Sequence, residues 1–257
     1  MESLLVAFSG GVDSTLLLKI ASDLLGDRVT AITAFSETLS RSQHDRITHF
    51  FGAHAIRHIK ITSPETSDPC FIKNDKDRCY YCKKVKFGLM MDHAAANHIT
   101  AVIDGSNRDD LNDYRPGTRA IRELGVRSPF IEAGIAKSEI REMARSLDLP
   151  VWNLPSDSCL ATRIPYGRPI TRQKLAVIER GEAFLKDLGL IPSIRARHYD
   201  EMVRIELNEK DFSRFSDADF RNKVIGFFKE LGFVHVTLDL EGFHSGSMNQ
   251  TFTIDLK

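Results

Sequence analysis

Short apolar runs alternate with amphipathic stretches through the first part of the chain. Leu4 to Phe8 is apolar throughout, which suits a buried parallel strand. Leu16, Leu17, Leu18 and Ile20, with Leu24 and Leu25 a turn later, suit a helix packed on that strand. Arg28 to Phe35 reads as a second strand, Ser42 to Phe51 as a helix and Ala55 to Ile61 as a third strand. Ser63 to Arg78 is polar, contains Pro64 and Pro69, and reads as a mobile loop. Helical spacing returns over Cys79 to Asn97, Ala101 to Ile103 is another buried strand, and Val126 to Phe130 a last short one. From Lys137 to Leu147 the residues Ile140, Met143, Ala144 and Leu147 fall on one helical face. Strand–helix alternation of this kind predicts a doubly wound parallel α/β sheet.

The pattern changes after Pro150. Pro150 to Pro169 contains four prolines and Gly167 and reads as a loop, so the domain boundary is placed near its end, giving domains 1–168 and 169–257. Thr171 can cap a helix running to Leu188, with Gly189 as its stop. Ile194 to Leu207 alternates around Tyr199-Asp200-Glu201 as a hairpin, followed by a helix from about Ser216 to Leu231 and a strand from Val234 to Leu240. The second domain is therefore expected to be small and of α+β type.

Composition narrows the setting. Lys and Arg total 35 against 35 Asp and Glu, so nothing global argues for a polyanionic partner, and nucleic acid is not expected. No apolar run approaches the ~20 residues of a membrane helix. Met1 and Glu2 lead straight into the first strand without a leader pattern. Four cysteines in 257 residues do not make a disulfide framework. A reducing, cytoplasmic setting is the expectation.

The first turn carries the clearest chemistry. Between strand and helix stands Ser9-Gly10-Gly11-Val12-Asp13-Ser14. Gly10 and Gly11 let backbone approach a ligand closely, and Ser9 and Ser14 add hydroxyls where the free N–H groups of a helix point outward, an anion site. Strand ends in such a sheet line the ligand crevice, so Ser36, closing the second strand, is a candidate adenosine contact. The fourth strand ends in Asp104-Gly105-Ser106-Asn107-Arg108-Asp109-Asp110, with Tyr114-Arg115-Pro116-Gly117 beyond. Asp109 or Asp110 there either caps a helix or holds ribose or Mg²⁺, and the nearby phosphate loop favours function for Asp109. Lys137, opening a helix, is either a phosphate contact or a solvated lysine.

Cys79-Tyr80-Tyr81-Cys82 is a CxxC flanked by Arg78, Lys83, Lys84 and Lys86, and Cys159 lies in Ser156-Asp157-Ser158-Cys159-Leu160-Ala161-Thr162-Arg163-Ile164-Pro165-Tyr166-Gly167. Three thiolates can bind three irons of a 4Fe–4S cluster and leave one open, or bind zinc with a histidine as fourth ligand. CxxC can also be a redox pair, or the thiols can be merely buried or exposed. Cys70 has no partner at ligand spacing. Arg163 could grip a phosphate bidentately. Arg195 and Arg197 share one strand face and suit an anionic nucleotide, with Arg204 and Glu206 on the return strand as partners.

The SGGVDS stretch resembles the pyrophosphate loop of N-type ATP pyrophosphatases (PP-loop enzymes), and lacks the lysine of a Walker loop. With DRCYYC and PxxxCLxxRIPYG around Cys159, nearly the whole chain resembles the LarE family of ATP-dependent sulfur transferases. That resemblance implies a PP-loop fold with a small C-terminal domain for substrate binding or oligomerisation. It implies adenylation of pyridinium-3,5-biscarboxylic acid mononucleotide with MgATP, held at the loop of Ser9, Gly10, Gly11, Asp13 and Ser14 and at the Gly105–Asp109 stretch. Ser36 and Lys137 join that set by their positions at a strand end and a helix start. Insertion of sulfur would follow, for a nickel-pincer nucleotide. Cys159 is implied either as a sacrificial sulfur donor or, with Cys79 and Cys82, as a 4Fe–4S ligand, and the CxxC points to the cluster branch. The resemblance implies the Arg-x-Arg of Arg195 and Arg197 as substrate contacts, and Arg163 and Glu206 are candidates beside them from the residue pattern. A sulfur donor and a homo-oligomer are expected partners, and a PP-loop tRNA thiolase is the alternative.

Overall fold

A computed structural model describes residues 3–111, 116–155, 157–190, 194–244 and 247. Tyr114, Arg115 and Ser156, quoted above, lie outside them. The chain forms two compact units, Met1–Asp157 and Ser158–Lys257. The proline spacing placed the boundary near 168, whereas in the structure the Cys159 segment groups with the second unit, because Arg163 anchors it there to Glu182.

In the first unit, β1 (Leu4–Ala7) leads into α1 (Val12–Leu25), β2 (Val29–Phe35), α2 (Arg41–Ala53) and β3 (Arg57–Thr62). Then come α3 (Pro69–Ile72), α4 (Arg78–Ala96), β4 (Ala101–Ile103), α5 (Pro116–Glu123), α6 (Pro129–Glu132) and α7 (Lys137–Ser146). The sheet order is β3-β2-β1-β4, with each pairing parallel. Alternation along β1 sends Leu4 and Val6 into a core shared with α1 and α7, through Leu16, Leu17, Ile140 and Ala144. Leu5 points to the other face, into a core with Phe87, Met90 and Ala94 of α4. Helices thus cover both faces, and each fully buried Leu contributes about 1.5–3 kcal/mol. The order reverses at β1, whose C-terminal end adjoins that of β4, and crevices for ligands form at such reversals.

Two segments differ from their sequence pattern. Val126 to Phe130 makes only an isolated bridge, Ile103 to Arg127, because Pro129 opens α6 instead. Ser63 to Arg78 is not a plain loop. It holds a 3-10 turn and α3, and Glu65 and Phe71 are almost completely buried. Asp68 caps α3 by accepting from the N–H groups of Cys70 (2.7 Å) and Phe71 (3.3 Å).

The second unit has α8 (Arg172–Asp187), the antiparallel hairpin β5 (Arg195–Tyr199) and β6 (Met202–Glu206), α9 (Ala218–Glu230) and β7 (His235–Leu238), parallel to β6. Thr171 caps α8 by accepting from the Lys174 N–H, and Gly189 at φ +80° follows its end, as the sequence pattern anticipates. Gly181 lets α8 and α9 meet, since a Cβ there would sit 2.7 Å from the Phe228 ring. Phe184 and Phe227 stack beside it at 3.8 Å. Among the described residues no helix is long and apolar enough to cross a membrane.

Candidate functional site

The glycine turn after β1 is held from three sides. The Phe8 carbonyl accepts from Thr33 Oγ1 at 2.9 Å, fixing where the strand stops. Gly10 has φ +72°, and a Cβ there would meet Ile47 Cγ1 at 2.9 Å, so both backbone conformation and space call for glycine. Ser14 Oγ donates to the Gly11 carbonyl (3.1 Å), which leaves it to accept from the Ser9 N–H (3.2 Å). Ser9 Oγ, also at 3.2 Å, must then be the donor in that contact. The serines knit the turn to α1. Gly11 caps α1 without a side chain, so the first-turn N–H groups face outward with no internal acceptor.

The segment after β4 closes on this turn. A Cβ at Gly105 would lie 2.9 Å from Ser14 N and 3.1 Å from Asp13 Cβ, so only glycine permits the approach. Asn107 Nδ2 donates to Asp13 Oδ1 at 3.3 Å. The Lys137 ammonium forms an ion pair with the Asp13 carboxylate, and both side chains are partly exposed. Asp109 accepts from the Lys137 N–H at 3.0 Å, so one of its oxygens does cap a helix, as the plainer sequence reading had it. Asp13, Gly105, Asp109 and Lys137 thus come together from three separate segments. Arg46 of α2, which no motif singles out, donates to the Gly10 carbonyl at 3.0 Å and pairs with Asp157 at 3.4 Å.

At the end of β2, Ser36 Oγ donates to Glu65, as does Thr38 Oγ1 at 2.9 Å, while Lys86 of α4 pairs with Glu65 at 2.9 Å. Burial pushes the Glu65 carboxyl up, but the Lys86 charge and the hydrogen bonds it accepts outweigh this and hold it below the usual carboxylate range. A lone glutamate in a polar stretch gave no sign of this role.

Helix α4 carries Cys79 and Cys82, both half-buried, in its first turns. Residues 79, 82, 83 and 86 recur at helical spacing and share one face. From that face Lys83 reaches within 4.0 Å of Asp104, at the end of β4, and Lys86 reaches Glu65. The thiols therefore lie on the side of α4 that addresses the strand ends. Cys70, on α3, is exposed. Among the described residues no three His, Cys, Asp or Glu side chains are gathered so as to hold a metal ion. The first unit supplies two thiols to the implied cluster set, and the third, Cys159, belongs to the second unit.

In that unit Cys159 precedes a 3-10 turn, Leu160–Arg163. Arg163, expected to grip a phosphate, is only 1% exposed and donates bidentately to Glu182 at 2.8 and 3.0 Å. Its fork is turned inward. Arg197 pairs bidentately with the fully buried Glu206 (2.9 and 2.7 Å), which also accepts from Arg204 at 2.9 Å. Arg195, likewise buried, donates to the Ile194 carbonyl and lies 4.8 Å from the Phe243 ring centre. Burial would raise the Glu182 carboxyl. The Arg163 charge and hydrogen bond, with Arg195, hold it below its ordinary value instead.

No protein-family model matches the chain. It is 39% identical over 254 residues to pyridinium-3,5-bisthiocarboxylic acid mononucleotide synthase of Lactiplantibacillus plantarum, covering 98% of the chain and 91% of that protein. It is also 39% identical to an uncharacterized protein of Synechocystis, over 98% and 94% of the two chains. A more distant relative is a subunit of the glutamine-hydrolyzing GMP synthase of Methanosphaerula palustris, 25% identical over 71% of the chain and 63% of that protein.

Proposed function

We propose, for a chain that belongs to the family of pyridinium-3,5-bisthiocarboxylic acid mononucleotide synthase (the LarE family), that it adenylates a carboxylate with MgATP and then replaces AMP with sulfur. The chain is an enzyme with a PP-loop α/β fold. The proposed acceptor is pyridinium-3,5-biscarboxylic acid mononucleotide, and the product is its thiocarboxylate, a nickel-pincer precursor. The observation that carries this reading is the convergence of Gly105, Asn107 and Lys137 on the Asp13 side of the SGGVDS turn.

The chemistry follows from that corner. Outward N–H groups at the start of α1 and the Lys137 ammonium take the β- and γ-phosphates of MgATP. A substrate carboxylate oxygen attacks the α-phosphorus, the bond to the bridging oxygen breaks, and pyrophosphate leaves with its charge already met by fixed donors. Asp13 holds Lys137 in place before ATP arrives. Ser36, tied to Glu65, borders the adenosine end. The sealed Arg197–Glu206 pair fixes the strand that carries Arg195, the arginine proposed to meet the anionic acceptor.

For the sulfur step, Cys79 and Cys82 on one helical face, with lysines beside them to offset negative charge, suit two corners of a 4Fe–4S cluster, with Cys159 as the third. When bound, such a cluster would supply sulfide at its open iron. The rival within the family is that Cys159 gives up its own sulfur and becomes dehydroalanine, and the extra pair at 79 and 82 favours the cluster. Iron and acid-labile sulfide, assayed on anaerobically reconstituted protein, decide between them. Cys79→Ala, Cys82→Ala and Cys159→Ala should each abolish the visible absorbance of the cluster. Unchanged iron in any of the three refutes three-cysteine ligation. A mass loss at Cys159 equal to one hydrogen sulfide after a single turnover establishes the sacrificial route.

A further inference from the structure

The Arg163–Glu182 pair lies inside the second unit, 1% and 3% exposed. What it touches is the cysteine segment. Arg163 Nη1 stands within 3.0 Å of four oxygens: the Ser158 carbonyl (2.7 Å), Ser158 Oγ (3.0 Å), the Cys159 carbonyl (3.0 Å) and Thr162 Oγ1 (2.9 Å). The Cys159 carbonyl also accepts from the Thr162 N–H (3.0 Å) and Thr162 Oγ1 (2.8 Å). Three donors on one carbonyl leave the Cys159 peptide no freedom to turn.

Glu182 carries the same constraint onward. Its Oε1 accepts from Arg163 Nε and from the Ala196 N–H at 3.1 Å. Ala196 sits between Arg195 and Arg197 on β5, an edge strand. A second tie runs from Arg197 Nη1 to the Thr162 carbonyl at 2.9 Å. One buried carboxylate therefore sets both the Cys159 loop and the strand that carries the two arginines. Removing either partner would strand a charge in a site shut off from solvent, so the pair cannot open to admit a ligand.

We propose that Arg163 and Glu182 are positioning residues that hold the Cys159 thiol in fixed register with the arginine strand, and that Arg163 takes no part in binding the nucleotide. The role of this register in turnover rests on the sulfur-transfer reading above, whereas the clamp itself does not. A planar fork is required, because a lysine offers one point of charge where Arg163 serves Glu182 and the loop carbonyls together.

The test is the rate of Cys159 alkylation by iodoacetamide across pH, read by peptide mass spectrometry on the whole chain before iron and sulfide are added, beside steady-state kinetics of the reconstituted enzyme. Arg163→Lys should raise the alkylation rate at least about tenfold and lower kcat roughly a hundredfold, as small misplacements of a reacting group do, with the KM for ATP unchanged. Thr162→Val keeps the ion pair and the fold, moves the melting temperature by only a few degrees, and should shift both quantities in the same directions. If Arg163→Lys does not fold, the Thr162→Val result decides. A raised KM for the pyridinium nucleotide, with alkylation and kcat intact, would mean that Arg163 binds substrate and would overturn the proposal. So would lowered melting temperatures with wild-type alkylation and kcat per folded molecule, the mark of a merely structural pair. Altered alkylation in protein that has no turnover even as wild type keeps the clamp and refutes the sulfur-transfer reading instead.

Discussion

The two units handle charge in opposite ways. At the glycine turn the acid–base pair, Asp13 with Lys137, is partly exposed, 23% and 31%, and the surrounding donors are mostly backbone N–H groups. In the second unit Arg163–Glu182 and Arg197–Glu206 are sealed, each member 5% exposed or less. A partly solvated pair costs little to open, so its lysine can exchange Asp13 for a phosphate. A sealed pair cannot make that exchange, and serves to fix geometry. The glycine turn is thus built to accept and release charge, and the sealed pairs of the second unit to hold still.

Breaking the sealed pairs should produce the largest effect on stability. Glu206→Leu leaves Arg197 buried and without its carboxylate, at an expected cost of about 3–5 kcal/mol. Thermal denaturation should show loss of the second unit, and a shift no larger than that of a surface substitution would dissolve the contrast between the units. Lys137→Ala should behave the other way. Its stability cost is expected to stay below about 1 kcal/mol, while ATP–pyrophosphate exchange falls about a hundredfold. Comparable losses in both measurements would place Lys137 with the structural pairs.

The smallest effect concerns pH and separates the first unit again. His58 on β3 stacks on Phe51 and contacts Thr33 Oγ1 at 3.0 Å. Burial, and then the Lys60 charge, lower its pKa from 6.5 to about 4. A histidine with a lowered folded pKa opposes protonation, so its neutral packing favours the fold fully above pH 6.5. That contribution is lost as the pH falls from 6.5 toward 4. His58→Asn should flatten this limb of the stability curve, and an unchanged limb would assign it to the carboxylates. Glu65, whose folded pKa is lowered, acts at the acid end of that window and below it, its contribution fading as the pH falls through the usual carboxylate value.

Much of this was legible in the chain. β1, β2 and β4 stand where continuous apolar runs placed them, because a strand covered on both faces has no polar side to hide, whereas β3, at the sheet edge, mixes polar and apolar residues and none of them is fully buried. The glycine turn was legible because few residue types permit φ +72° next to a helix start. Val126 to Phe130 misled, since its apolar ends matched a strand while Pro129 favoured a helical turn. Glu65 misled too, since a fully buried glutamate with Ser36, Thr38 and Lys86 around it looks in sequence like any loop acid.

Periodicity and turn chemistry are local, so the chain by itself determined its elements, its anion-binding turn and the alternation of Arg195 and Arg197. The partners of charged groups are not local. Lys137 finds Asp13 across 124 positions, and Arg163 turns toward Glu182 rather than outward because the packing of α8 against the Cys159 segment excludes water there. A guanidinium reads the same in sequence whether it meets solvent, a ligand or a buried carboxylate, and only the tertiary structure, by setting the water around it, decides which.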